Sequence, residues 1–161
     1  MQAIETFPAT ENVANLQLDA AGNLRHLLTL DGLDRDLLVS LLDDAQKFVT
    51  EPGHSTARSE SLAGRTVANL FFEASTRTRA SFDLAGKRLG ADVLNLDVNT
   101  SSRKKGESIL DMIYTLQAMQ VDVMVVRDAS AGVPAYIARH VNDHVSILNA
   151  GESEVSHPTQ G

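Results

Sequence analysis

Phe71-Phe72-Glu73-Ala74-Ser75-Thr76-Arg77-Thr78-Arg79 is the stretch on which the fold turns. Just before its centre, Thr66 to Phe72 is a nearly unbroken apolar run, the pattern of a buried strand. Just after it, the spacing of Phe82, Leu84, Ala85 and Leu89 is that of a helix. A strand therefore passes into a helix through Ser-Thr-Arg-Thr-Arg. The first amides of a helix lack internal acceptors and the helix dipole favours negative charge there, so this junction suits an anion. Ser75 is a good N-cap residue, the hydroxyls of Thr76 and Thr78 add donors, and Arg77 can grip two phosphate oxygens in fork geometry. The competing reading is an ordinary capped helix with solvated arginines.

Outward from this junction, strands alternate with helices. The spacing predicts strands over Asp92 to Leu96, Asp122 to Arg127 and Val145 to Asn149, and helices over Arg77 to Leu89, Glu107 to Met119 and Val133 to His140. Continuous apolar runs such as Val123-Met124-Val125-Val126 are what a parallel sheet covered on both faces requires. The series predicts an α/β fold: a doubly wound open sheet of about four parallel strands with flanking helices and right-handed crossovers. Upstream, Asp34 caps a helix whose apolar face is Leu37, Leu38, Leu41, Leu42, Ala45 and Phe48, ending before Pro52-Gly53. Leu24 to Leu30 is a short apolar piece, and residues 1–23, polar and without a sustained period, read as an N-terminal tail.

In such a sheet, ligands bind outside the carboxyl ends of the strands. The first strand end delivers Ser75 to Arg79, and the second a polar loop from Asp97 to Gly106 containing Arg103-Lys104-Lys105. The third closes on Arg127, where a charge ending an apolar strand needs either a bound anion or a buried carboxylate partner. The fourth leads through Asn149-Ala150-Gly151 to His157-Pro158-Thr159-Gln160. His157 can donate a hydrogen bond to a carbonyl oxygen, and Gln160 offers a donor and an acceptor suited to a carboxamide. His26, His54, His140 and His144 read as structural.

Charge supports this placement. The chain of 161 residues is 43% hydrophobic with a net charge of −7, which disfavours nucleic acid or an anionic membrane as main partner. From Arg65 to Arg127, however, nine basic residues face seven acidic ones, leaving −9 for the remainder. With no cysteine, a disulfide framework, a thiolate nucleophile and a zinc–thiolate site are excluded. Neither a signal-peptide pattern nor a membrane-length apolar run is present, so a soluble cytoplasmic protein is expected.

Four motifs in order, Phe71 to Arg79 followed by Ser81-Phe82, Ser101-Ser102-Arg103-Lys104-Lys105-Gly106-Glu107-Ser108, Val125-Val126-Arg127 and His157-Pro158-Thr159-Gln160, span about ninety residues. Together they resemble the carbamoyl-phosphate half of the aspartate carbamoyltransferases. The ornithine enzymes share the first and last motifs but lack the long lysine-bearing loop, so Phe72-Glu73 with Lys105-Gly106-Glu107 favours aspartate as second substrate. The resemblance implies that Ser75, Thr76, Arg77 and Thr78 hold the phosphate, that Arg127, His157 and Thr78 polarise the carbamoyl carbonyl, and that Gln160 orients the carbamoyl amide. It implies a homotrimer in which Ser101 and Lys105 reach into a neighbouring chain's site, with no metal or organic cofactor. The product is N-carbamoyl-L-aspartate, for pyrimidine biosynthesis.

The family continues past His-Pro-Thr-Gln into a second, aspartate-binding domain. Residues 24–161 therefore correspond to the carbamoyl-phosphate-binding domain, and the chain alone is expected to show no turnover. Gly151-Glu152-Ser153-Glu154 stands where the family has a Gly-Asp-Gly turn; a side chain at its third position is costly where φ is positive. The tail resembles the extended form of the enzyme found with a dihydroorotase-like partner. Two readings from other classes stay open: a non-catalytic anion- or nucleotide-binding module, and a catalytically inactive assembly homologue. The first lacks a Gly-rich fingerprint after the first strand, and for the second no motif residue has been lost.

Overall fold

The computed structural model describes residues 13–97, 108–152 and 157–160. Its elements are α1 (Ala14–Gln17), α2 (Arg35–Gln46), β1 (Thr66–Phe71), α3 (Thr76–Arg88), β2 (Asp92–Asp97), α4 (Ile109–Ala118), β3 (Val123–Arg127), α5 (Val133–Ala138) and β4 (Ser146–Asn149). All four strands run parallel in the order β2-β1-β3-β4. The α/β reading holds, with boundaries within a few residues of those the sequence predicts.

The pleat of β1 sorts the core into two layers. Ala68, Leu70 and Phe72 join Ile113 and Leu116 of α4 and Val133, Ile137 and Ala138 of α5 in one cluster. Val67 and Phe71 join Val125, Ala150 and Phe82 of α3 on the opposite face. Each fully buried aliphatic or aromatic side chain contributes about 1.5–3 kcal/mol, so these layers fix the register that aligns the strand ends. Gly86 lets α3 lie close to the sheet, since a Cβ there would come within 2.8 Å of Val93 Cγ2. Ser108 starts α4 with a reciprocal capping box to Asp111.

The chain leaves β1 in one direction for β2, then crosses back past β1 to β3 and β4. The order reverses between β1 and β3, the switch point where open α/β sheets leave a crevice. Phe71 and Arg127 are register partners across it, and the Phe72 amide donates to the Arg127 carbonyl at 2.9 Å.

Two upstream features, the tail and α2, differ from the sequence reading. The stretch read as tail includes α1, and Gln17 is fully buried, its Oε1 accepting from the amides of Leu28 and Thr29. A four-residue helix has no period to detect, and its anchor is a polar side chain. Leu27 bridges Leu148 beside β4, and buried His26 accepts from the Ile147 amide through Nδ1 at 3.0 Å. Helix α2 is capped by Asp34 as expected, but none of its residues is buried; Leu42 is 70% exposed and Phe48, just beyond its end, 40%.

Candidate functional site

Helix α3 begins a short connection beyond the end of β1, with Ser75 at the N-cap position. The serine hydroxyl makes no capping hydrogen bond, contrary to the sequence expectation: its backbone is at φ −151°, ψ 84°, away from usual capping geometry. The first intrahelical bond is Arg79 N–H to the Ser75 carbonyl, at 3.1 Å. The earlier amides of the turn have no helical acceptor, which preserves a set of donors for an anion. No acidic residue lies in that first turn. Thr78 is buried on it, Arg77 is exposed, and the Arg79 guanidinium lies over the Phe71 ring at 5.5 Å.

Across the switch point, Arg127 ends β3. Its Nη1 donates to the Ala150 carbonyl at 2.8 Å, and its Nε lies 2.6 Å from Glu73 Oε1 as an ion pair without good hydrogen-bond angles. The buried-carboxylate alternative is thus realised, and the partner comes from the quoted β1 motif. Gly151 makes room for this arginine: at φ +115°, a Cβ there would lie 2.3 Å from Nη1. Glu152 secures the turn by accepting from the Gly132 amide at 2.5 Å and from Asn149 Nδ2 at 3.1 Å.

His157 stacks on Phe82 with ring centroids 6.3 Å apart and planes 9° from parallel. Burial, then the nearby Arg127 charge, lowers its pKa below the usual histidine value, so the ring is neutral near pH 7. Its Nδ1 lies 2.9 Å from Thr159 Oγ1, while Nε2 is buried without a partner among the described residues.

Glu73, Arg127, Asp128, Ala129, Gly151, Glu152, His157 and Gln160 line one cavity of about 390 Å³. Three predicted site residues, Arg127, His157 and Gln160, are therefore brought together. Ser75 and Thr76 line an adjacent cleft of about 300 Å³ with Ala74, Arg79, Ala80, Asp83 and Asn95. The two spaces meet in the chain at the Glu73-Ala74 step, and Arg77 and Thr78 line neither. Ser101 and Lys105 lie outside the described residues. Sequence reasoning placed Glu73, Phe82, Glu152 and Thr159 within or beside its motifs but named none of them as a site residue. Among the described residues no cluster of three or more His, Cys, Asp or Glu is placed to hold a metal, and no helix is long and apolar enough to cross a membrane.

The family model described as aspartate/ornithine carbamoyltransferase, carbamoyl-P binding domain, matches residues 25–161. The catalytic subunit of M. jannaschii aspartate transcarbamoylase is 34% identical, with a TM-score of 0.72 over 85% of this chain and 44% of that one. Aspartate transcarbamoylase from Trypanosoma cruzi, solved in complex with carbamoyl phosphate, is 32% identical with a TM-score of 0.74 over 92% of this chain and 43% of that one. Ornithine carbamoyltransferase from Thermus thermophilus is 28% identical, TM-score 0.70, covering 81% and 43%. The chain spans less than half the length of these relatives.

Proposed function

Because this chain belongs to the aspartate/ornithine carbamoyltransferase family, matching its carbamoyl-phosphate-binding domain, we propose that residues 24–161 bind carbamoyl phosphate at the ends of β1 and β3. On this reading the phosphate sits on the open first turn of α3, held by Ser75, Thr76, Arg77 and Thr78. Arg127, His157 and Thr78 direct donors at the carbamoyl oxygen, and Gln160 orients the amide. The observation that carries the reading is that one cavity at the sheet's switch point gathers Arg127, His157 and Gln160 beside an uncapped helix start.

The parent reaction follows from that placement. The lone pair of the L-aspartate amine attacks the carbamoyl carbon, and the carbonyl electrons move onto oxygen, where Arg127 and neutral His157 stabilise the charge. Collapse breaks the carbon–oxygen bond to phosphate, and the departing phosphate takes up the proton lost by nitrogen. Holding both reactants in register supplies the remainder of the acceleration. Aspartate is favoured over ornithine by Phe72-Glu73 and by the Lys105-Gly106-Glu107 loop; similarity to ornithine enzymes keeps the alternative in view. The full reading includes a cytoplasmic homotrimer in pyrimidine biosynthesis, sites completed by Ser101 and Lys105 of a neighbouring chain, an aspartate-binding domain outside this sequence, and a dihydroorotase-like or other regulatory partner.

Calorimetric titration with phosphonoacetamide, a stable stand-in for carbamoyl phosphate, tests the binding reading. Saturable binding tighter than that of inorganic phosphate is expected; equal or absent binding contradicts it. A carbamoyl-aspartate assay on this chain alone is expected to show no turnover.

A further inference from the structure

A neutral imidazole carries one N–H, so only one of its nitrogens can donate, and the partner of the other nitrogen decides which. At His157 the two nitrogens have different surroundings. Nδ1 faces Thr159 Oγ1 at 2.9 Å. Nε2 is buried and has no partner among the described residues. The neighbouring ring atom Cδ2 lies 3.4 Å from where a Gly151 Cβ would stand, so this edge of the ring lies beside Gly151. Stacking on Phe82 sets the plane of the ring.

The charges around the ring do not themselves select a donor at Nε2. The carboxylates of Glu73, Asp128 and Glu152 line the same cavity and favour an N–H directed into it. The Arg127 guanidinium pulls the other way, toward a bare Nε2 lone pair; burial, and after it this charge, lowers the histidine's proton affinity. A ligand carbonyl in this cavity would meet repulsion from a bare Nε2 and a hydrogen bond from Nε2–H.

We propose that Thr159 is a positioning residue that donates its hydroxyl hydrogen to Nδ1 of His157, keeping the ring proton on Nε2 where it meets the ligand's carbonyl oxygen. The proposal rests on the carbamoyl-phosphate reading for its purpose, but the tautomer can be measured without any ligand.

The experiment is a ¹⁵N–¹H long-range correlation spectrum of the uniformly labelled chain near pH 7.5, assigned with His157→Gln, for the wild type, Thr159→Val and Thr159→Ser. The wild type is expected to show a pyridine-type Nδ1 and a protonated Nε2. Thr159→Val should give a mixture of tautomers with an unchanged melting temperature, since the side chain is exposed and the replacement isosteric, and Thr159→Ser should restore the wild-type pattern. A wild type with the proton on Nδ1, or a valine variant with the wild-type tautomer ratio, overturns the proposal. As a second readout, Thr159→Val should weaken phosphonoacetamide binding roughly threefold to tenfold, the range of one hydrogen bond, and leave phosphate binding unchanged; equal weakening of both also overturns it. If the wild type binds neither compound, the carbamoyl-phosphate reading fails while the spectra still decide the tautomer.

Discussion

Arg127 Nε and Glu73 Oε1 lie 2.6 Å apart, joining the ends of β3 and β1 across the point where the strand order reverses. Both side chains are partly buried, so each limits the other's cost of leaving water, and the pair sets where the guanidinium stands before a ligand arrives. The two residues should therefore be coupled in stability. In a double-mutant cycle with Glu73→Gln and Arg127→Met, urea denaturation should give a coupling energy of about 1 kcal/mol. Strict additivity would show that the contact contributes nothing.

Gly151 is the position where a single methyl group should do most damage. Its backbone is left-handed at φ +115°, and an added Cβ would lie 2.3 Å from Arg127 Nη1 and 3.1 Å from Cζ. Gly151→Ala should cost about 1–3 kcal/mol of stability from backbone strain and displace Arg127, reducing phosphonoacetamide affinity more than phosphate affinity. An alanine variant with unchanged stability and unchanged preference between the two ligands would refute this account of the turn.

Buried His26 makes stability depend on pH. Desolvation, with a smaller contribution from Arg25, depresses its pKa to about 4. Since the unfolded chain binds this proton first, stability is fully present above pH about 6.5, falls as pH drops, and has lost about 3 kcal/mol by pH about 4. Urea midpoints measured from pH 7.5 to 4 should fall accordingly, and His26→Asn, which can still accept from the Ile147 amide, should flatten that slope. An equal slope in the variant would assign the titration to other groups.

Ser108 and Asp111 satisfy each other's backbone amides at the start of α4. Ser108→Ala should destabilise the chain by about 1 kcal/mol without changing phosphate binding. A loss below about 0.3 kcal/mol would mean that solvent replaces the cap without cost.

Much of this was legible in the sequence because the chemistry is local. The apolar runs of β1 and β3 announce a parallel sheet, and Ser75 to Arg79 follows β1 after a short connection, so fold and anion junction come from neighbouring residues. The pairing of Arg127 was not decidable in this way: an anion and a carboxylate satisfy a strand-end arginine equally, and Glu73 becomes the answer only when β1 and β3 lie side by side. Gln17 shows the same limit, since its amide anchors α1 through bonds to Leu28 and Thr29 that no periodicity reveals. The hydrophobic period of α2 was real, yet it did not predict burial, because periodicity reports a face and not what covers it.

The central claim is that one ligand spans two strand ends, with its phosphate at β1 and its carboxamide at β3. The most direct test is calorimetric titration of wild type, Arg77→Ala and Arg127→Ala with both phosphate and phosphonoacetamide. Arg77→Ala should lose affinity for both compounds, by roughly 2 to 4 kcal/mol if Arg77 is the main charged partner. Arg127→Ala should bind phosphate as the wild type does but lose the additional affinity for phosphonoacetamide. Binding of both compounds unaffected by Arg77→Ala, or reduced equally by the two variants, would contradict the two-ended site.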